Sequence, residues 1–89
     1  MEKLLKKIID RVKTDFGIDA HFEKEENTNE DKLTVYLWDD DITEVFCILD
    51  FYPEEKSVNS LFFPTINIDI SRLLSILKEE LHGWEIRYK

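Results

Sequence analysis

Glycine, proline and cysteine are all scarce in this 89-residue sequence, which holds two, two and one of them. Two glycines cannot furnish a glycine-rich phosphate cradle, because such loops need several backbone positions free of side chains. Both are accounted for by helix endings. Phe16-Gly17-Ile18 and His82-Gly83-Trp84 each place a glycine between the last helical turn and a large apolar residue, the pattern of a left-handed helix stop. So little proline, in a chain 43% apolar and 12% aromatic, argues for an ordered globule rather than a low-complexity segment. The single cysteine, Cys47, excludes an internal disulfide and any C-x-x-C site, and its apolar neighbours read as packing. No apolar run approaches the roughly 18 residues of a membrane span. The opening stretch MEKLLKKIIDRVK lacks a signal peptide's apolar core and small-residue cleavage site. The expectation is a cytoplasmic protein with no membrane attachment.

Positive charge is short as well. Twelve Lys and Arg stand against twenty Asp and Glu, a formal net charge of −8. The imbalance is local. Lys3, Lys6, Lys7, Arg11 and Lys13 outnumber Glu2 and Asp10 at the start, whereas residues 19–55 set only Lys24 and Lys32 against a long series of acids. An acidic surface repels phosphate backbones and attracts basic partners, within a Debye length of about 8 Å in physiological salt. Direct nucleic-acid binding is therefore not expected. The basic face of the first helix reads as a solvated face, since it lacks the aromatic anchors of a membrane-surface helix.

What the chain does have is clear periodicity. Leu4, Leu5, Ile8, Ile9, Val12 and Phe16 form one helical stripe over residues 2–16. Ile70, Leu73, Leu74, Leu77 and Leu81 form another over residues 70–82, with Asp69 as its N-cap. Alternating segments at 18–23, 33–38, 43–52, 58–63 and 84–88 predict strands, and the polar run 24–31 predicts a loop. Pro53-Glu54-Glu55-Lys56 suits a tight turn with proline at its second position. The expected fold class is α+β: two layers, with an antiparallel four- to five-stranded meander and two helices on one face. The order is α-β-β-β-β-α-β in a single domain over residues 1–89. The last strand can pair with the first, antiparallel, or with the fourth, in parallel through a crossover. The first of these is the expected one.

Leu33 to Tyr52 carries the functional signal. Strict alternation turns Leu33, Val35, Leu37, Val45, Cys47, Leu49 and Phe51 toward the helices. It leaves Tyr36, Trp38, Phe46, Ile48 and Tyr52 outward, with Asp19, Glu23, Glu44 and Asp50 among or beside them. A one-sided antiparallel sheet normally shows polar residues to water, so this face calls for a cover. The cover is the 57–68 segment, a second copy of the chain, or another protein. Between the two strands lies Asp39-Asp40-Asp41, whose mutual repulsion a turn selected for stability alone would avoid. No calcium-loop spacing accompanies it, and consecutive strand residues point to opposite faces, so no metal site is expected. His21 and His82 read as structural, and no nucleophile, base and orienting group fall at a recognisable spacing, so no enzyme and no cofactor are expected. The expected function is that of a small acidic protein-binding domain that inhibits or regulates a basic protein. It would act as a nucleic-acid mimic or as an immunity or antitoxin-type protein. Tyr36, Trp38, Asp39, Asp40, Asp41, Glu44, Phe46, Asp50 and Tyr52 are the expected partner-binding residues. The alternative is an assembly module that homodimerises through the aromatic face.

Overall fold

The computed structural model describes residues 1–27, 29–64 and 68–88. Its elements are α1 (Glu2–Phe16), β1 (Ala20–Asn27), β2 (Lys32–Asp39), β3 (Glu44–Tyr52), β4 (Ser57–Phe62), α2 (Ile70–Glu80) and β5 (Glu85–Tyr88). This is the α+β order expected from the sequence. One five-stranded sheet runs β1-β2-β3-β4-β5, antiparallel from β1 through β4. The last strand departs from expectation: β5 lies parallel to β4, with Val58 opposite Ile86. Two physical reasons favour that edge. A strand, helix and strand in succession form the usual parallel crossover, which delivers β5 beside β4. The free edge of β1 carries Glu23, Lys24, Glu25 and Glu26, a run of charges that discourages further pairing.

The core lies between the sheet and the two helices. Leu5, Ile8, Ile9 and Val12 of α1 and Leu73, Ile76 and Leu77 of α2 are buried. All of these except Ile76 join Val35, Leu37, Cys47, Leu49, Phe51 and Val58 of the sheet in one core cluster. In α2 the buried stripe includes Ile76, while Ile70 is exposed, a rotation of one step from the sequence pattern. Arg11 pairs with Glu79 and Glu80 at 2.5 and 3.2 Å, and Arg72 with Asp15 at 2.8 Å. That order makes the helices antiparallel. Gly17 closes α1 at φ 67°, its N–H donating to the Lys13 carbonyl. Asp69 caps α2 by accepting from the Arg72 backbone N–H at 3.2 Å. No helix among the described residues is long and apolar enough to cross a membrane.

Two corrections concern the strands that build the outward face. Residues 24–27, expected in a loop, extend β1 opposite Leu33–Val35 of β2 and Lys32 at its start. Polar composition there marks an exposed sheet edge rather than a turn. More consequential is a bulge in β3: Leu37 faces Cys47 and Trp38 faces Val45, leaving Phe46 as an extra residue. The bulge puts Phe46 and Cys47 together on the helix side. Phe46, expected outward, is 2% exposed and part of the core, and Val45 takes its place outside. The Phe46 carbonyl accepts from the Phe63 N–H at 3.0 Å, so the extra residue keeps a hydrogen bond.

Scarce glycine leaves its mark on the turns. Each of the three hairpin connections ends in a non-glycine residue at positive φ just before the next strand. These are Asp31 at 47°, Thr43 at 55° and Lys56 at 52°. Asp tolerates this region; Lys and the β-branched Thr do so at a steric cost. Pro53 occupies the second turn position as expected, with the Glu55 N–H donating to the Tyr52 carbonyl at 3.2 Å.

Candidate functional site: the outward sheet face and its acidic tip

Cross-strand register fixes which side chains share the outward face. His21, Trp38 and Val45 form one row, and Glu23, Tyr36, Ile48 and Leu61 the next. Glu25, Thr34, Asp50, Asn59 and Arg87 form a third. β4 pairs edge-on with β3 instead of folding over this face; residues 65–67 of the segment considered as a cover lie outside the described residues. An aromatic and aliphatic strip of Tyr36, Trp38, Val45, Ile48, Leu61 and Phe63 thus crosses the three middle strands. Its members are half-buried against one another, except Leu61, which is 39% exposed. Tyr36, Trp38, Val45, Ile48 and Phe63 line a shallow depression of about 370 Å³ with Thr43 and Glu44 at its rim.

The acids around this strip differ in how far they are engaged. Tyr36 donates its hydroxyl to Glu25 at 2.9 Å, and Thr34 donates to Asp50 at 2.7 Å. The bond to Glu25 pushes the Tyr36 phenol above its ordinary pKa. In the tip, the three aspartates do not act alike. Asp39, expected to meet a partner, is 4% exposed, and its carboxylate accepts from the Asp41 backbone N–H at 2.9 Å. It holds the turn, as short polar side chains do at such positions. Asp40 turns to His21, Nδ1 to Oδ1 at 2.5 Å. Asp41 and Glu44 are exposed. Tyr52 is half-buried, next to the β3–β4 turn.

His21 is the residue whose role the sequence hid. It lies on the outward face as its strand parity requires, yet it gathers three partners: Asp40, Glu23 at 3.3 Å, and the Trp38 ring, stacked at 6.0 Å and 7°. Partial burial opposes its protonation, but the hydrogen bonds to Glu23 and Asp40 outweigh this and hold its pKa above the ordinary value. Only the pairing of β1 with β2, and the turn bringing Asp40 back, create the cluster. Asn59 and Leu61 were likewise missed, because β4 was not assigned a register against β3. Alternation within 58–63 was the available signal for them.

Two buried side-chain polar atoms lack a hydrogen-bond partner among the described residues: Trp38 Nε1 and Asn59 Oδ1. Both belong to side chains of the outward face. An unpaired buried polar atom costs roughly 1–3 kcal/mol. Elsewhere the chemistry is quiet. Cys47 is buried and burial pushes its thiol pKa far up, which suppresses the reactive thiolate. Among the described residues no group of three or more His, Cys, Asp or Glu is arranged to hold a metal ion. No family model, curated protein or solved structure matches the chain, and the functional reading rests on the geometry of this face.

Proposed function

We propose that the protein is a small acidic binding domain that inhibits or regulates a basic protein through its outward sheet face. The observation that carries this reading is the coincidence of three features on one face. An apolar strip lies without cover among the described residues, acids surround it, and Trp38 in the strip and Asn59 in the row beside it each hold a buried polar atom without a hydrogen-bond partner. Aromatic anchors in desolvated pockets supply most of an interface's affinity, and rim charges govern the rate of encounter. Here Tyr36 and Trp38 serve as anchors, with Asp41, Glu44 and Asp50 as the steering acids. The partner, as expected from the charge distribution, is a basic protein such as a toxin or a nuclease whose phosphate-binding surface the carboxylates occupy.

A symmetric dimer through the same face is the competing reading, since a contiguous apolar strip also suits self-association. Charge disfavours it. A two-fold face-to-face contact brings Glu23, Glu25 and Asp50 of one copy toward the same acids of the other, and like charges across an interface are repulsive.

Capture from the native cell lysate on the immobilised domain, at low and high ionic strength, tests the proposal. The double variant Asp41→Asn/Glu44→Gln and the variant Trp38→Ala run alongside. The expected result is a basic protein held by the wild type at low salt, released at high salt, and held less by both variants. Equal retention by the variants, or a concentration-dependent dimer that buries Trp38 and ignores salt, overturns it.

A further inference from the structure

Resting on the reading of the outward face as a docking surface for a basic protein, we infer that His21 gates that contact by pH. Its imidazolium keeps Glu23 and Asp40 to itself, and loss of the proton releases Glu23 to a cationic side chain of the partner. What carries this is a ring with an acceptor at each end. Nδ1 meets Asp40 Oδ1 at 2.5 Å and Nε2 meets Glu23 Oε1 at 3.3 Å. An ionised carboxylate accepts and does not donate, so both contacts hold only while both ring nitrogens carry a proton. The Trp38 ring lies parallel to the imidazole, at 6.0 Å and 7°, and ties it to the aromatic strip.

The neutral ring has one N–H to share between two acceptors. The closer contact, to Asp40, keeps it, and the Asp40 backbone is itself anchored by donating to the Asp19 carbonyl at 2.8 Å. The Glu23 side chain is 60% exposed against 38% for Asp40. Glu23 is therefore the one free to turn away from a ring nitrogen that presents a lone pair. It stands in the same outward row as Tyr36, Ile48 and Leu61, which puts the released carboxylate beside an aromatic anchor. There a lysine or arginine of the partner replaces the lost imidazolium with a charge-assisted hydrogen bond.

The chain's other charges do not supply that replacement. On α1, Lys6, Asp10 and Lys13 line, with His21, a depression of about 310 Å³ at the open edge of β1. Lys13 stands 3.9 Å from Asp19, and Lys24 of β1 pairs with Glu2. Among the described residues, His21 is the only cationic group within ion-pair distance of Glu23. Partial burial works against the imidazolium, yet the hydrogen bonds to Glu23 and Asp40 prevail and raise its pKa, which brings the change toward neutral pH.

The test is a low-salt titration of the full chain against a hexa-lysine peptide, capped at both ends and carrying a pH-insensitive rhodamine, between about pH 5.5 and about pH 9. Fluorescence anisotropy reads the dissociation constant. Wild-type binding should tighten about three- to tenfold as pH rises, the effect of removing one unit charge and freeing a carboxylate beside it. His21→Asn keeps an amide donor for Asp40 but never carries the charge. It should bind at every pH as the wild type does at high pH. Glu23→Gln should bind more weakly at high pH and lose part of the dependence. Reciprocally, saturating peptide should lower the His21 pKa, followed by its ring carbon resonances, by the logarithm of the wild-type factor. Wild-type affinity independent of pH, or the full dependence kept in either variant, overturns the gate while leaving the face as a binding surface. A peptide that binds at no pH overturns the gate and the reading of the face together.

Discussion

Among the described residues, Thr43 carries the clearest local strain. A β-branched side chain at φ 55° crowds its own backbone, and a non-glycine residue in this region costs roughly 1–2 kcal/mol. Replacing it by glycine relieves that strain but frees the unfolded chain by roughly 0.4–1 kcal/mol. Thr43→Gly is therefore expected to stabilise the domain by about 0.5–1 kcal/mol, read as a raised urea midpoint at unchanged slope. A falling midpoint would mean that the hydroxyl or methyl group makes a contact that outweighs the strain. Strain of this kind is retained at sites where geometry matters, and Thr43 lines the depression with Tyr36 and Trp38.

His21 gives the second residue-scale expectation. Its folded pKa is raised by Glu23 and Asp40 against the opposing effect of partial burial. The stabilisation this represents is complete below the unfolded value of about 6.5 and is lost as pH rises through the folded value. Urea midpoints should therefore fall across that interval in the wild type and fall less in His21→Asn. The same titration changes the tip: deprotonation removes the cation beside Asp40 and Glu23 and makes this corner of the face more negative. If His21 resonances titrate below the ordinary histidine value, the two carboxylates do not hold the ring as described.

At the scale of elements, the bulge between β2 and β3 decides what the face contains. It buries Phe46 and brings Val45 out. Phe46→Ala should therefore cost about 3–5 kcal/mol of stability, the range for an aromatic removed from a packed core. Val45→Ala should cost much less. Guanidinium unfolding of the two variants compares them directly, and a reversed ranking would restore strict alternation and return Phe46 to the surface. The crossover through α2 has its own consequence. It places Trp84 edge-on against Phe51 at 5.3 Å, with the Lys56 ammonium 5.0 Å from the indole centre. The β3–β4 turn and the approach to β5 are thus fastened to each other, and the Glu85 N–H donates to the Lys56 carbonyl at 2.8 Å.

At the scale of the whole molecule, charge is divided between two layers. Lys3, Lys6, Lys7 and Lys13 are exposed on α1, while the acids cluster on the sheet and its turns. A net charge of −8 destabilises the compact state by self-repulsion. Added salt should raise the melting temperature of the free domain and weaken its complex with a basic partner, because screening acts on both. Opposite signs for the two effects, seen in parallel thermal melts and binding titrations, are the signature of that arrangement. A complex that tightens with salt would instead point to apolar contact alone.

The sequence by itself determined the two helices, the glycine stop of α1, the α+β order and the faces of β1 and β2, whereas α2 ends at Glu80 and is closed by Leu81 rather than by Gly83. Each rests on local periodicity, capping or strand parity, which neighbouring residues express on their own. It also located the acids and most of the outward aromatics. Tertiary structure alone decided the rest. β3 is apolar on both faces, so its pattern is equally consistent with either parity, and only packing against β2 and the helices selects the bulge that buries Phe46. The polar run of β1 resembles a loop until β2 is beside it. The His21–Asp40 bond and the Asp50–Asn59 pair join residues from different strands or turns. β5 chose β4 because the crossover helix had to bury its apolar stripe on the same sheet face as α1. The outward aromatic face and its acids were thus legible from residue order, whereas which side chains it leaves unpaired is a property of strand register.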